Sequence, residues 1–286
     1  MNKSFTLIEI LVVIVVIGIL SALILVGTNS ITSSASITKY KAFSESLRNF
    51  LLTNLVSEWK LDGNANDSWG SNNGTLNNFS GSPYVSSCPS GQCVQFDGVD
   101  DYISVNDHDS LDIVNEITIE AWVNLEEVTG GYAGRIIIGK GGAYTDPYGV
   151  WTSQSAGSIM AMITIEGAAS YGSSTNINLK NGWHLVGEIY NGSKLYSIYD
   201  GRILYIKDLT GNIDINANNL TINSTSVDRK VKGYIDMVRI YNKAQSSAQI
   251  KQKYYIGLSN LFKKDLISLG EFNQRISELK NNLTQN

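Results

Sequence analysis

Residues 183–206 of this chain read WHLVGEIYNGSKLYSIYDGRILYI. Three runs of aromatic and β-branched residues are separated there by Asn191-Gly192 and Asp200-Gly201. Asn-Gly and Asp-Gly pairs supply the positive φ angles that tight hairpin turns require, and the flanking residue types pack well on a pleated surface. The stretch therefore predicts a three-stranded antiparallel meander.

The segments around this meander show the same pattern, in which short predicted strands alternate with turns. In Ile117–Val123 the apolar side chains alternate, which places them on one face of a half-buried strand. Further strands are predicted at 55–61, 93–97, 101–105, 135–139, 158–166, 219–223 and 231–241. About a dozen strands with hairpin turns and few helices predict a two-sheet antiparallel sandwich.

The amino-terminal end has a different character. Residues 5–26 read FTLIEILVVIVVIGILSALILV, 22 residues with one charged side chain, Glu9, and no proline. A helix of this length rises roughly 33 Å, close to the hydrocarbon thickness of a bilayer, and is too long for the core of a signal peptide. The run predicts a single transmembrane helix, and Lys3 before it favours a cytoplasmic amino terminus with the rest exported.

Glu9 turns this membrane span into a functional hypothesis. A carboxylate within the hydrocarbon is costly, so it is paired or marks function unless it lies at the headgroup boundary. The residues Ser4-Phe5-Thr6-Leu7-Ile8-Glu9 resemble the processing signature of type IV prepilins, which usually have Gly at the position of Ser4. The resemblance implies that a prepilin peptidase cuts before Phe5, that the new amino terminus is methylated, and that Glu9 pairs with a terminal amine when pilin-like subunits assemble.

Residues 28–53 predict a continuation of this helix beyond the membrane. Apolar residues recur there mostly at three- and four-residue spacing and form one stripe: Ile31, Ala35, Tyr40, Phe43, Leu47 and Phe50. The resemblance to pilins implies a long helix, half in the membrane and half packed on a head domain. A helical stalk with no assembly role is the alternative.

A series of segments between residues 54 and 256 follows one recognisable order. They are VSEWKLDG (56–63), Asp67-Ser68 with Asn73-Gly74-Thr75, FDGVDDYI (96–103), ITIEAWV (117–123), Trp183-His184, GYIDMVRIY (233–241) and a short helical segment, 246–254. In this order they resemble the laminin G-like jelly rolls of the concanavalin A type. The resemblance implies a lectin-like sandwich, although Leu185 stands where that family often has a second His.

Cys88 and Cys93 lie in the motif CPSGQC beside a predicted strand. In an exported protein a close pair of cysteines is most simply a disulfide. So short a ring adds little chain-entropy stabilisation, and its role would be local rigidity. A metal site would want further His or Cys residues nearby, and a redox dithiol the shorter Cys-x-x-Cys spacing.

Calcium is the cofactor that the Asp- and Asn-rich turns of the head predict, because hard cations need clustered oxygen ligands. The jelly-roll resemblance points to Asp62 with Asn64, and to Asp236 on a late strand. The alternative is that Asp62 and Asn64 form a turn and that Asp236 pairs with Arg239 or caps a loop. A second candidate set comprises Asp97, Asp100 and Asp101, of which Asp97 also fits a tight turn with Gly98.

Two function classes are disfavoured by the sequence. The net charge of −4 and the absence of a basic stripe argue against nucleic acid as a partner. Glu116 and Glu120 are the nearest approach to the paired carboxylates of a glycosidase, but Glu120 is interpreted as a solvent-facing strand residue. No enzyme is expected.

The predicted organisation is α+β overall. It comprises a leader (1–4), a pilin-like transmembrane and stalk helix (5–53), a jelly-roll domain (54–257) and a carboxyl-terminal helical tail (258–286). In the tail, helical spacing is kept by Leu266, Leu269, Phe272, Ile276 and Leu279.

Two functions fit this organisation. One is an adhesive, glycan-binding subunit at the cell surface or on a pilus, whose head would stack sugars on Tyr132, Tyr144, Tyr148 and Trp151 in the loop-rich 130–152 region. These aromatic residues also fit ordinary strand packing. The other function is a structural subunit of a pilus or of a type II secretion pseudopilus, whose head binds only its neighbours.

Overall fold

The computed structural model describes residues 45–126, 134–141, 146–152, 157–175, 177–180 and 182–281. The predicted membrane helix with Ser4, Phe5 and Glu9, and the loop residues Tyr132 and Tyr144, lie outside these ranges. In the part that is described, no helix is long and apolar enough to cross a membrane. The chain divides into two compact units, Met1–Leu52 and Thr53–Asn286; in the first, residues 45–51 are helical (α1).

The second unit is an antiparallel β-sandwich. Its described strands are β1 Leu55–Trp59, β2 Gly74–Asn77, β3 Tyr84–Val85, β4 Cys93–Asp97, β5 Tyr102–Val105, β6 Ile117–Leu125, β7 Arg135–Lys140, β8 Tyr148–Thr152, β9 Ser158–Ile165, β10 Ala168–Thr175, β11 His184–Tyr190, β12 Lys194–Tyr199, β13 Arg202–Asp208, β14 Leu220–Ile222 and β15 Lys232–Tyr241. Two helices follow, α2 Ser247–Lys263 and α3 Leu269–Asn281. The predicted sandwich and the carboxyl-terminal helix are confirmed.

The strands form two sheets in which every described pairing between strands is antiparallel. Sheet 1 has the order β13-β12-β11-β6-β15-β4-β3, with β1 also paired to β15. Sheet 2 has the order β10-β9-β8-β7-β14-β5-β2. The predicted meander is β11, β12 and β13 at one edge of sheet 1, where Asp200 and Gly201 have the positive φ angles that a tight hairpin needs.

The main core lies between the two sheets. Alternate residues of the central strand β6, namely Ile117, Ile119, Ala121 and Val123, point inward, as their spacing predicted. They meet inward residues of sheet 2 such as Val150 and Ile163. The opposite face of β6 carries Glu120 and Trp122. One face of this strand therefore packs in the core between the sheets, and the other lies on the outer side of sheet 1.

Helix α2 covers the outer face of sheet 1. It begins with a capping box in which the side chains of Ser246 and Gln249 bond each other's backbone N–H groups. Its buried stripe, Ile250, Tyr254, Leu258 and Leu261, keeps helical spacing and packs on Trp122, whose ring stacks on Tyr254 with the centroids 5.7 Å apart. Because this stripe continues past residue 257, the predicted domain boundary at 257/258 falls inside one helix.

A bulge in β15 determines where the late-strand carboxylate points. Opposite β6, the register shifts between Asp236 and Arg239, so that two residues of β15, Met237 and Val238, face a single residue. Met237 takes a positive φ of 53°, an unusual backbone conformation for a side chain of its size. The upstream half of β15 pairs with β4 and the downstream half with β1. Asp236 lies at this change of partner.

Candidate functional site

The predicted disulfide is present between Cys88 and Cys93, with an S–S distance of 2.01 Å. Both cysteines are fully buried in the cluster beneath the carboxyl-terminal helices. The Lys264 ammonium, in the turn after α2, donates to the carbonyl oxygens of Cys88 at 3.0 Å and Gly91 at 3.2 Å. The Trp183 indole N–H donates to the carbonyl oxygen of Ser87 at 3.0 Å. The loop closed by the disulfide (88–93) therefore contacts both Trp183, next to β11 of sheet 1, and Lys264, in the turn between α2 and α3.

The residues predicted to bind calcium lie around this disulfide ring. The Asp62 carboxylate accepts the backbone N–H of Gln92 at 3.0 Å, and the Asp236 carboxylate accepts that of Ser90 at 2.9 Å. Asn64 makes a local turn by accepting the N–H of Asn66 at 2.9 Å. The turn interpretation therefore accounts for Asn64, whereas Asp62 and Asp236 both reach the same short loop.

Asp236 is the most unusual of these groups. It is fully buried, and its Oδ1 atom has no hydrogen-bond partner among the described residues. Burial raises the pKa of this carboxyl to about 8, although the backbone N–H groups of Ser90 and Met237 and the charges of Arg239 and Lys264 act in the opposite direction. An unpaired buried oxygen is the kind of atom that a cation would complete, and Asp62 and the loop carbonyls offer further hard ligands.

The second candidate set, Asp97, Asp100 and Asp101, does converge. One carboxylate oxygen from each lies within 4.8 Å of the others. The turn uses these groups internally, because Asp101 accepts the N–H of Asp97 at 3.0 Å and Asp97 accepts that of Val99 at 2.7 Å. The buried Lys230 ammonium donates to the carbonyl oxygen of Asp100 at 2.9 Å. A lysine thus supplies the positive charge beside this turn.

The predicted aromatic sugar platform is wrong for the two of its residues that the structure describes. Tyr148 is 0% exposed, and its hydroxyl donates to the carbonyl oxygen of Leu111 at 2.7 Å. Trp151 is 1% exposed and packs with Ile136 and Met162. Successive residues of β8 point to opposite faces, and both of its faces are covered, so neither ring is available to a ligand.

Glu120 also differs from its predicted solvent-facing position. It is fully buried under α2, where it pairs with Arg239 at 3.2 Å and Lys253 at 2.9 Å. Glu58 pairs with the same guanidinium at 2.8 Å. Burial lowers the pKa of Lys253 to about 8 even though Glu120 favours its charged form. The two carboxylates are neutralised by Arg239 and Lys253. Because Lys253 lies on α2 and Arg239 on β15, the network holds α2 against sheet 1.

A loop after β1 places one tryptophan at the surface. The Asp67 carboxylate accepts four backbone N–H groups, those of Glu58 at 3.0 Å, Trp69 at 3.0 Å, Gly70 at 2.9 Å and Asn72 at 3.1 Å. Trp69 is 47% exposed as a whole residue. Of the five tryptophans in the chain, all within its described part, the other four are at most 4% exposed. The loop thus combines a fixed backbone with an exposed ring.

Comparison with protein families matches two segments of the chain. The model of the concanavalin A-like lectin/glucanases superfamily matches residues 97–251. The chain belongs to this superfamily. The model of the prokaryotic N-terminal methylation motif matches residues 1–25. The predicted fusion of a prepilin-type amino terminus with a concanavalin A-like domain is therefore confirmed. A comparison with curated proteins finds no match.

Solved structures share the fold of this concanavalin A-like protein at low identity. The binding domain of Paraclostridial Mosquitocidal Protein 1 has a TM-score of 0.59 at 14% identity, over 73% of this chain and 53% of that one. The binding domain of botulinum neurotoxin serotype G has a TM-score of 0.58 at 13% identity, over 72% and 52%. The chain spans about half the length of these two toxin domains.

A third solved structure is matched over almost its whole length by this chain. It is domain 4 of AbnA, a GH43 extracellular arabinanase from Geobacillus stearothermophilus, in complex with arabinotriose. The TM-score is 0.54 at 19% identity, over 70% of this chain and 97% of that one. At these identities the likeness establishes the fold alone.

Sequence reasoning missed the features that distinguish this concanavalin A-like head. Trp69 was not singled out, although it follows Asp67-Ser68, a pair that was noted as a landmark. A tryptophan in a loop of Ser, Gly and Asn has no strand or helix pattern to bury it, and that was the available signal. Lys230 and Lys264 carried no signal, because each reaches carbonyl oxygens that are distant in sequence.

Proposed function

We propose that this protein is a membrane-anchored, exported filament subunit whose head binds carbohydrate at the cell surface. The observation that carries the proposal is the fusion of an N-terminal methylation motif at residues 1–25 with a concanavalin A-like sandwich. By its resemblance to prepilins, the amino-terminal part is cut by a prepilin peptidase and assembles with other pilin-like subunits. The head is larger than anchoring requires, and assembly would display it to the outside.

The solved relatives support binding as the role of such a head. One was solved with a bound arabino-oligosaccharide, and others are described as binding or receptor-binding domains. Transfer of such a role to this chain is part of the proposal, because a fold hosts many functions.

The outer face of sheet 1 supports binding over hydrolysis. A glycosidase needs two carboxylates that flank a bond of the bound substrate. Here Glu58 and Glu120 are both buried and share Arg239, and Glu120 also pairs with Lys253 of α2. A ligand would therefore be bound at loops or sheet edges, and we propose no hydrolytic activity.

The test is a broad glycan array probed with the full-length protein in detergent, with and without calcium. We expect retention on at least one saccharide class, and a competing soluble form of that saccharide should abolish it. An array that stays blank under both conditions would reject glycan binding and leave a structural subunit of a pilus or of a type II secretion pseudopilus.

Calcium is proposed as a structural cofactor held by Asp236 and Asp62. The unpartnered Oδ1 of Asp236 supports this assignment, and Lys264, which already occupies two loop carbonyls, is the competing cation. A ligand that binds only the folded state raises the melting temperature by mass action. We expect added Ca²⁺ to raise Tm, and the rise to vanish in Asp236→Ala. An equal rise in the wild type and in this variant would discard the assignment.

A further inference from the structure

We infer that the exposed face of Trp69 is the carbohydrate-binding platform of this head, and that its ligand is an uncharged saccharide ring. This inference rests on the proposed function and names the site that would perform it. The argument has three parts: the exposure of the ring, the rigidity of the loop and the chemistry of its neighbours.

The exposure of Trp69 distinguishes it from the other tryptophans of this protein. The other four tryptophans each lie in a packed cluster, and two of them also use their indole N–H groups in hydrogen bonds. The Trp69 side chain has no hydrogen bond or ring contact among the described residues, and the residue is 47% exposed to solvent. A ligand that covers such an apolar surface removes it from water, which favours binding.

The loop that carries Trp69 is held firmly in place. Besides the four N–H groups on the Asp67 carboxylate, the Asp67 N–H donates to Asn73 at 3.0 Å. The buried side chain of Asn72 donates to Ser57 at 2.7 Å and to Ser110 at 2.9 Å. A platform fixed before binding loses little conformational entropy when the ligand arrives, which is the advantage of pre-organisation.

The chemistry around Trp69 selects the ligand class. Both carboxylate oxygens of Asp67 accept backbone N–H groups of the loop, so the negative charge of Asp67 is hydrogen-bonded within the loop. The exposed neighbours along the loop are Ser68, Ser71 and Asn73. The Ser68 hydroxyl donates to the Glu58 carboxylate at 2.6 Å and can only accept from a ligand, whereas Ser71 offers a hydroxyl and Asn73 an amide N–H₂ group. An aromatic face beside neutral hydrogen-bonding groups suits a sugar ring, whose apolar face stacks while its hydroxyls bond at the side.

The contacts of its ring separate Trp69 from another exposed aromatic residue on the sandwich, Tyr205. Tyr205 is 57% exposed, but it lies in the edge strand β13 with Lys194 above its ring at 5.7 Å and Tyr196 against its edge. It is an exposed aromatic residue with neighbours that already cover part of it. Tyr205 therefore provides a matched control of similar exposure.

The first experiment establishes which indole is accessible. Limited N-bromosuccinimide oxidation of the full-length protein in detergent, followed by peptide mapping, should modify Trp69 before the four buried tryptophans. The saccharide that gives the strongest array signal should protect Trp69 against this reagent. Oxidation of Trp69 at an unchanged rate in saturating saccharide would overturn the inference.

The second experiment measures affinity for that same saccharide. We expect Trp69→Ala to weaken binding by about tenfold or more, as loss of one stacked aromatic face implies, while Trp69→Phe retains part of it. Tyr205→Ala should bind like the wild type, and all variants should keep the wild-type unfolding midpoint. Full binding by Trp69→Ala would overturn this site and leave the proposed function standing. A blank array for the wild type would overturn both.

A third outcome identifies a different role for the ring. If Trp69→Ala leaves saccharide binding intact but abolishes self-association of the protein in light scattering, the exposed face is a contact between copies of this chain. That result would contradict the inference.

Discussion

At the scale of single residues, this head uses buried charges in two ways. Glu58, Glu120, Arg239 and Lys253 neutralise one another and hold a helix in place. Asp236 has no such partner for its Oδ1 atom. The first arrangement is neutralised within the protein, whereas burial raises the pKa of Asp236 to about 8.

Asp236 predicts a specific pH dependence in the presence of a chelator. Its folded-state pKa is raised from 3.8 to about 8, so the unfolded chain releases this proton at lower pH than the folded chain does. Where the unfolded state binds fewer protons, stability falls as pH rises. We expect the free energy of unfolding to decrease between about pH 4 and pH 8, and Asp236→Asn to flatten that decrease.

Denaturant titrations across this pH range provide the measurement. Lys264→Met is the informative companion variant, because loss of the nearby ammonium should make ionisation of Asp236 still less favourable and steepen the fall. A wild-type profile that rises from pH 4 to pH 8 in chelator would contradict the prediction.

Sequence reasoning at the residue scale succeeded where a side chain acts locally. The cysteine pair needed only its spacing and the inference of export, and the disulfide is confirmed. It failed where burial depends on a distant element. Glu120 is covered by α2, more than a hundred residues away in the chain, and Tyr148 bonds the distant carbonyl of Leu111. Alternation along one strand identifies its two faces, but not what covers the outer face.

At the scale of elements, hydrophobic patterning predicted most of the strands. The ones that it missed are β2, β3, β8 and β10. Strand β10, AASYGSST, is made largely of small residues, and β8, YGVWT, contains a glycine and is apolar on both faces. Neither shows the apolar–polar alternation of a half-buried strand. In the tail, Gly270 is a residue type that weakens helix interiors, but it lies in the first turn of α3, where it interrupts nothing.

Helix α2 provides the prediction at this scale. A Cβ atom on Gly257 would lie 2.2 Å from the Trp122 ring, so Gly257→Ala should force the helix off the sheet and destabilise the head by about 1–3 kcal/mol. Gly270→Ala is the matched control, since its nearest neighbour would be 3.7 Å away and alanine favours helix. Chemical denaturation measures both, and equal stability of Gly257→Ala and the wild type would show that the contact is dispensable.

At the scale of the whole molecule, the fusion predicts that anchoring and assembly are separable. Replacement of Glu9 by Leu removes the one charge in residues 5–26, so membrane insertion should be kept or improved. The partner proposed for the amine of Phe5 is lost, and incorporation into filaments should fail. Membrane fractionation and the protein content of sheared filaments measure the two steps.

Intact mass of the assembled subunit adds a direct check of processing, with the mature chain expected to begin at a methylated Phe5. Glu45→Leu, outside the apolar run, serves as the control that should assemble normally. Normal filament incorporation of the Glu9 variant would mean that this carboxylate only marks the membrane boundary.

The pairing of β1 with β15 has a consequence for the order of events during biogenesis. The two strands are joined by contacts such as that between Glu58 and Arg239, which are 181 positions apart in the chain. Closing so long a loop is slow, and it cannot begin before the distal strand is available. Strand β1, the first to be synthesised, therefore cannot pair until β15, the last described strand, has been made. The sandwich remains incomplete, and open to proteases, until almost all of it has been synthesised.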